Sequence, residues 1–263
     1  NGPESMEHDA AGQRYFASCT GDNRIRQRSY AGDVSAFASN LPAAPYGLEL
    51  QGDTLFACMG GSVGGFSTAD GEQVFSLDLG GAFLNGISSD GHFLYVTDFS
   101  AKKIFKIDPG AQSFTTLVAN TVNTPTGIAW DAGVQRLWVV CWGSDANVKG
   151  YDRATGAEVS SFATNLTNLD GVAIDCLGHI IVSSWSPARL TSFENTFTEP
   201  GVDLQAIGLN NPADLDYDSV NHVICVPNSG GGTVQLQASG DCSTRMKVTS
   251  EHAARSVHPK PAT

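Results

Sequence analysis

The chain has 263 residues and carries 27 Asp+Glu against 15 Lys+Arg, for a net charge of −12 and a pI near 4.7. That balance, with no Lys/Arg cluster anywhere, argues against a nucleic-acid partner and against an anionic membrane surface, both of which need concentrated positive charge. No apolar run approaches the roughly 20 residues needed to span a bilayer.

The composition, with 29 Gly and only 16% charged residues, suits many short strands joined by tight turns. One motif recurs along the chain. In order it reads Pro3-Glu4-Ser5-Met6-Glu7-His8-Asp9, Pro45-Tyr46-Gly47-Leu48, Leu84-Asn85-Gly86-Ile87, Pro125-Thr126-Gly127-Ile128-Ala129-Trp130-Asp131, Leu169-Asp170-Gly171-Val172-Ala173-Ile174-Asp175 and Pro212-Ala213-Asp214-Leu215-Asp216-Tyr217-Asp218. The second residues of these markers, Glu4, Tyr46, Asn85, Thr126, Asp170 and Ala213, are 42, 39, 41, 44 and 43 residues apart. Six near-equal units predict a radial repeat, a form that a β-sandwich does not require.

Each unit then follows one plan. After the marker comes a turn rich in Asp, Gly and Asn, and then an apolar run such as Phe93-Leu94-Tyr95-Val96-Thr97 or Leu137-Trp138-Val139-Val140-Cys141 that reads as a buried strand. An alternating run follows, as in Ile104-Phe105-Lys106-Ile107-Asp108 and Val148-Lys149-Gly150-Tyr151-Asp152, with the period of two of a strand exposed on one face. Turn signals and a last strand, such as 72–79 or 157–164, complete a four-stranded antiparallel meander. The prediction is an all-β six-bladed β-propeller over 1–249, with blades starting near 3, 45, 84, 125, 169 and 212 and a C-terminal tail at 250–263. The fourth strand of blade six is expected from residues 245–249.

Cys19, Cys58, Cys141 and Cys225 fall near the ends of second strands and read as small buried core residues. A disulfide from Cys242 to another unit is the alternative. The six cysteines form an even count, and the chain begins at Asn1 as after a cleaved leader or a trimmed start. A periplasmic or secreted location is therefore the expectation.

Antiparallel alternation places the marker and the loop after the second strand on one rim. The expected mouth includes Glu4, Tyr46, Asn85, Thr126, Asp170, Asp214, Asp98, Trp142, Trp185 and Asn228. His92, His179 and His222 fall in the turns of the opposite rim, His8 lies far down its strand, and His252 and His258 belong to the tail. No Ser-His-Asp constellation can be assembled at the mouth. What converges on the axis is oxygen: the carboxylates of Glu4 and Asp170, the amide of Asn85 and the hydroxyl of Thr126. Hard oxygen donors without His or Cys suit Ca²⁺, with Mg²⁺ or Mn²⁺ as alternatives. As simple strand caps, the same residues would only bond to nearby backbone amides.

The markers Pro3-Glu4-Ser5, Leu84-Asn85-Gly86-Ile87, Leu169-Asp170-Gly171-Val172 and Pro212 to Asp218, with Ile181-Val182-Ser183-Ser184-Trp185-Ser186, carry a resemblance. The chain resembles the senescence-marker-protein/gluconolactonase/regucalcin family and, more distantly, diisopropylfluorophosphatase and the paraoxonases. That resemblance implies a six-bladed propeller with a divalent metal, usually Ca²⁺, over the central channel. Glu4 matches the family's first-blade glutamate, Asn85 its third-blade asparagine and Asp170 its fifth-blade aspartate. Thr126 stands where the family usually has a second asparagine, and the catalytic histidine pair of the paraoxonases has no counterpart.

The sequence thus predicts a metal-dependent hydrolase of a lactone or small ester. In that reading the metal polarises the carbonyl, Asp170 acts as nucleophile or general base, Asp98 is its reserve, and Tyr46, Trp142, Trp185, Asp214 and Asn228 bind a small-molecule substrate. The alternative is a non-catalytic scaffold similar to NHL-type propellers, binding a peptide, a glycan or a protein.

Overall fold

The computed structural model describes residues 2–239, and among them it contains six antiparallel sheets and no helix. Five sheets are four-stranded meanders in chain order, and the sixth has three described strands. The expected closing strand at 245–249, the tail and Cys242 lie outside the described residues. The innermost strands are Pro3–Asp9, Pro45–Gln51, Leu84–Ser89, Thr124–Asp131 and Thr167–Ile174, with Asp216–Asp218 in blade six. Each packs against the next, and the strand of blade six packs against that of blade one, so the ring is closed.

The second strands bury almost every side chain, as Leu94–Asp98 and Arg136–Trp142 show, and the fourth strands at the perimeter are mostly exposed. The outer strands predicted at 72–79 and 157–164 form as Gln73–Asp78 and Glu158–Ala163. Apolar side chains fill the wedges between blades. Phe56, Val63 and Phe75 of blade two, for example, meet Leu84, Val96 and Phe105 of blade three. The wedge between blades six and one holds a small apolar cluster of Met6, Tyr15 and Cys225. A polar network closes that seam: the Tyr15 hydroxyl donates to Asp218 Oδ2 at 2.6 Å, and His8 Nε2 stands 2.6 Å from the Tyr30 hydroxyl.

The markers carry a repeated irregularity. In blades one to five the ladder shifts at the marker, so that two marker residues oppose a single residue of the second strand. Such a bulge re-aims the side chains it contains, which is how the second marker residue is turned toward the hub. A hydroxyl on the second strand satisfies the backbone N–H that the bulge frees. Ser5 N donates to Ser18 Oγ (2.9 Å), Gly86 N to Thr97 Oγ1 (2.8 Å) and Gly171 N to Ser183 Oγ (2.8 Å). Thr97 and Ser183 then donate to the next blade's marker, at the carbonyls of Thr126 (2.5 Å) and Ala213 (2.8 Å).

Close approach explains the marker glycines. A Cβ on Gly47 would stand 2.4 Å from the Asn85 carbonyl, and one on Gly171 would stand 2.4 Å from the Leu215 nitrogen. Blades one and six carry Ser5 and Asp214 at this position instead, and these two side chains join across the closing seam at 3.0 Å. On the far rim the terminal Asp of the marker caps the following turn, as Asp9, Asp131, Asp175 and Asp218 do for the amides of Gly12, Gly133, Leu177 and Val220. His92, His179 and His222 lie at that rim, as expected.

Cys19, Cys58, Cys141 and Cys225 are free and buried, and Cys176 is disulfide-bonded.

Candidate functional site

The strand pairings put the expected residues on one rim. Leu84 pairs with Asp98, Thr124 with Trp142, Thr167 with Ser186 and Pro212 with Asn228, so each second strand ends beside a marker. At the hub of this rim stand Glu4 and Asp170. Burial raises the pKa of Asp170 well above the usual range, and the charges of Glu4 and then Asp214 raise it further, against a lowering by the Trp185 indole. Burial also raises Glu4, against the hydroxyl of Ser229, which donates to its Oε2 at 3.0 Å. Asp214 is pushed up to about 8 by burial, with Glu4 and Asp216 adding to it and Ser5 opposing it.

None of the ion pairs among the described residues includes Glu4, Asp170 or Asp214. Three neighbouring acids are therefore held in a poorly solvated hub with no side-chain cation paired to them among the described residues. Burying such charge unpaired is expensive, and protons or a bound cation relieve it.

The remaining predicted residues divide between the mouth and its framework. Asp98 is fully buried, and its carboxylate accepts the backbone amides of Ala82 (2.7 Å), Phe83 (3.2 Å) and Ala101 (2.8 Å). It shapes the loops around the mouth, which corrects its reading as a reserve base. Thr126 is also spent: its hydroxyl lies 2.9 Å from the Leu169 carbonyl and 3.1 Å from that of Val140, a strut between blades four and five rather than a free ion ligand. Asn85 sits buried on the bulge of blade three with no hydrogen bond to its amide. Asn228 is fully buried; its Oδ1 accepts the amide of Asn210 at 3.0 Å, and its Nδ2 has no partner. Asp214 is tied to Ser5 and lines the cavity beneath the hub, not the rim.

A divalent cation is thus left with two carboxylates, of Glu4 and Asp170, and the amide of Asn85. These are the hard oxygen donors that Ca²⁺, Mg²⁺ or Mn²⁺ prefers, with the other positions going to water or substrate. Among the described residues no group of three or more Asp, Glu, His or Cys side chains is placed to hold an ion without such help.

Tyr46, Trp142 and Trp185 do lie at the mouth, and two rings absent from the sequence prediction link them. Tyr46 packs edge-on against Phe83 with centroids 4.7 Å apart, Phe83 lies 5.3 Å from Phe99, Phe99 lies 6.2 Å from Trp142, and Trp142 packs edge-on against Trp185 at 4.8 Å. The result is an unbroken aromatic arc from blade two to blade five. Glu4 raises the pKa of Tyr46 at one end of the arc, and Trp185 acts on Asp170 at the other. Phe83 and Phe99 were legible in principle, since Phe99 directly follows a second strand as Trp142 and Trp185 close theirs.

A second acidic tier, also absent from the prediction, lies deeper in the channel. Glu7, Glu49 and Asp216, each three residues past its marker residue, line a cavity of about 220 Å³. Glu7 accepts the amide of Leu50 at 3.0 Å, and Asp216 accepts that of His8 at 2.7 Å, so this tier fastens neighbouring blades. Burial raises all three carboxyls; the charge of Asp216 raises Glu7 and Glu49 further, and that of Asp218 raises Asp216. The repeating offset of three was the available signal.

These acids set the pH dependence of stability. A carboxyl whose pKa is raised on folding binds more protons folded than unfolded between its two pKa values, so stability is full below the lower value and falls as pH rises toward the upper one. For Asp214 that window runs from the ordinary 3.8 to about 8. The melting temperature in EDTA is expected to decline from pH 5 to pH 8.5, and Asp214→Asn to flatten the decline; a melting temperature that rises over this interval would contradict the assignment.

No protein-family model and no curated protein sequence matches the chain. Solved structures of the same fold do. A Bacteroides thetaiotaomicron protein of unknown function is similar with a TM-score of 0.72 at 12% identity, over 90% of this chain and 70% of that one. A streptogramin B lyase gives 0.69 at 15% identity, over 92% and 84% of the two chains. Virginiamycin B lyase from Staphylococcus aureus gives 0.67 at 11% identity, over 91% and 85%. At these identities the likeness establishes the fold alone: the chain is a six-bladed β-propeller, an architecture it shares with these two lyases.

Proposed function

We propose that the marker-end mouth is the active site of an enzyme acting on a small ester or lactone, in the broad hydrolase and lyase range. The observation that carries this reading is the group of adjoining acids, Glu4 and Asp170 with Asp214 beneath them, beside a partly open aromatic arc and, among the described residues, without an ion-paired Lys, Arg or His. The lyases among the structural neighbours are compatible with it. A fold by itself does not fix a reaction.

Asp170 is the proton carrier. Held well above the usual carboxylate range by burial and the charges of Glu4 and Asp214, it accepts and keeps a proton more readily than an ordinary aspartate. In hydrolysis it takes a proton from a water that adds to the carbonyl carbon, and returns that proton to the departing oxygen. Glu4, oriented by Ser229, supplies a neighbouring negative charge that keeps Asp170 basic. Asn228 offers a buried N–H with no partner among the described residues, available to a substrate oxygen. Glu4, Asn85 and Asp170 would hold a divalent cation, which when bound polarises the carbonyl oxygen.

The test is turnover of a panel of lactones and small esters by the wild type, in EDTA and across a Ca²⁺ titration, together with the melting temperature. Turnover that EDTA abolishes and Ca²⁺ restores, with a rise in melting temperature, supports the metal-assisted form. Turnover in EDTA assigns the chemistry to the carboxylates alone. Absence of turnover on the whole panel under either condition would overturn the reading in favour of a binding scaffold.

A further inference from the structure

The aromatic arc is more than a metal-assisted hydrolase requires. Several large rings of this propeller are completely buried, as Trp138, Tyr95 and Phe16 are, whereas Tyr46, Phe83, Phe99, Trp142 and Trp185 all remain partly exposed around one opening. Each packs against its neighbour, and four of those five rings come from blades two, three and four, so the exposure belongs to the mouth as a whole rather than to one loop. A hydrated divalent ion gains little from such rings. An organic cation gains twice, because the faces of Trp, Tyr and Phe attract a poorly hydrated positive charge and the carboxylates neutralise it.

Both ends of the arc reach an acid. Tyr46 lies within the field of Glu4, Trp185 touches the field of Asp170, and among the described residues no Lys or Arg ion pair neutralises either acid. A second observation points to a ligand. Asn228 is fully buried at the same rim with an Nδ2 that has no partner among the described residues. Buried donors left unsatisfied are rare, and one at this opening asks for an acceptor from outside the chain.

We propose that the mouth binds an organic ammonium compound that also carries a hydrogen-bond acceptor, its cationic head lying between Glu4, Asp170 and the aromatic arc and its oxygen meeting the Asn228 donor. The proposal rests on reading this mouth as a small-molecule site, and it gives the substrate class as cationic esters or alcohols. A neutral sugar would stack on the rings and leave the acids uncompensated.

Choline and its neutral isostere 3,3-dimethylbutanol test this directly, because they share shape and hydroxyl and differ in charge. Titrated at pH 8 in EDTA and followed by tryptophan fluorescence, choline is expected to bind at least about tenfold tighter than the isostere. Asp170→Asn is expected to weaken choline about tenfold, and Phe83→Leu to weaken it several-fold, with the isostere little affected by Asp170→Asn. The Phe83 variant keeps the test decisive should the Asp170 variant not fold. Equal binding of the two probes, no binding of choline, or choline binding indifferent to both substitutions would overturn the proposal. Turnover of neutral lactones without choline binding would overturn this inference and leave the enzyme reading standing. Choline binding without turnover of any ester would do the reverse.

Discussion

Gly171→Ala is expected to destabilise the fold by about 3 kcal/mol, the upper end of what overpacking costs in a tight interior. The added methyl would meet the Leu215 nitrogen at 2.4 Å, the Ala213 carbonyl at 2.5 Å and the Asp214 Cα at 2.7 Å, all of them backbone atoms. A flexible side chain can swing aside. Backbone at the hub can yield only if blade five moves away from blade six, which would disturb the Ser183 bridge to Ala213 and the seam between Asp214 and Ser5. Gly52→Ala is the control. Gly52 has a positive φ of 61° and open space around it, so its substitution carries the roughly 1 kcal/mol cost of left-handed backbone and no clash. Denaturant unfolding of the two variants checks the difference; equal losses would mean that the inner strands are not packed as closely as described.

Asp170→Asn is expected to move activity and stability in opposite directions. Loss of the proton carrier should lower kcat by about 10²- to 10⁴-fold, the usual span for a general base. The same change removes a buried carboxyl that its surroundings resist ionising. Below the ordinary carboxylate pKa the wild type is protonated both folded and unfolded, so the variant gains nothing there. As pH rises past the ordinary carboxylate value the unfolded chain ionises more readily than the folded one, so the variant should gain on the wild type between pH 5 and pH 8 and melt higher at pH 8. Asparagine keeps an acceptor for the Trp185 indole. Melting temperatures at pH 5 and pH 8, read beside steady-state kinetics, give the result; a variant that loses activity and is less stable at pH 8 would point to a structural role for Asp170.

The ring of blades was legible because its signal is periodic. Pro or Leu, a variable residue and Gly, followed by apolar alternation, recur every 39 to 44 residues, and each recurrence marks the same bulge against the same neighbour. The hub acids Glu4 and Asp170 were legible for the same reason, since they occupy the variable position of that motif. What escaped the sequence was the partner of each polar group. Thr126 and Asp98 stand on the correct rim, but a hydroxyl facing two carbonyls and a carboxylate facing three amides are framework, and only coordinates tell which backbone groups lie within 3 Å. Phe83 and Phe99 escaped because an isolated aromatic beside a turn carries no period; their meaning comes from rings contributed by other blades. The lower tier of Glu7, Glu49 and Asp216 did carry a period, and alanines at positions 129 and 173 with Ser88 at the other offsets obscured it.

The acids Glu4, Asp170 and Asp214 gather at the hub with no ion-paired cation among the described residues. Carbon-detected NMR titration of the Asp and Glu carboxyl groups in EDTA, assigned through Glu4→Gln, Asp170→Asn and Asp214→Asn, measures this directly. The prediction is that Glu4 and Asp170 titrate above the ordinary carboxylate range, Asp170 well above it, that Asp214 titrates at about 8, and that Glu4→Gln lowers both aspartates. Three hub carboxyls titrating at ordinary carboxylate values, unmoved by one another's substitution, would contradict it.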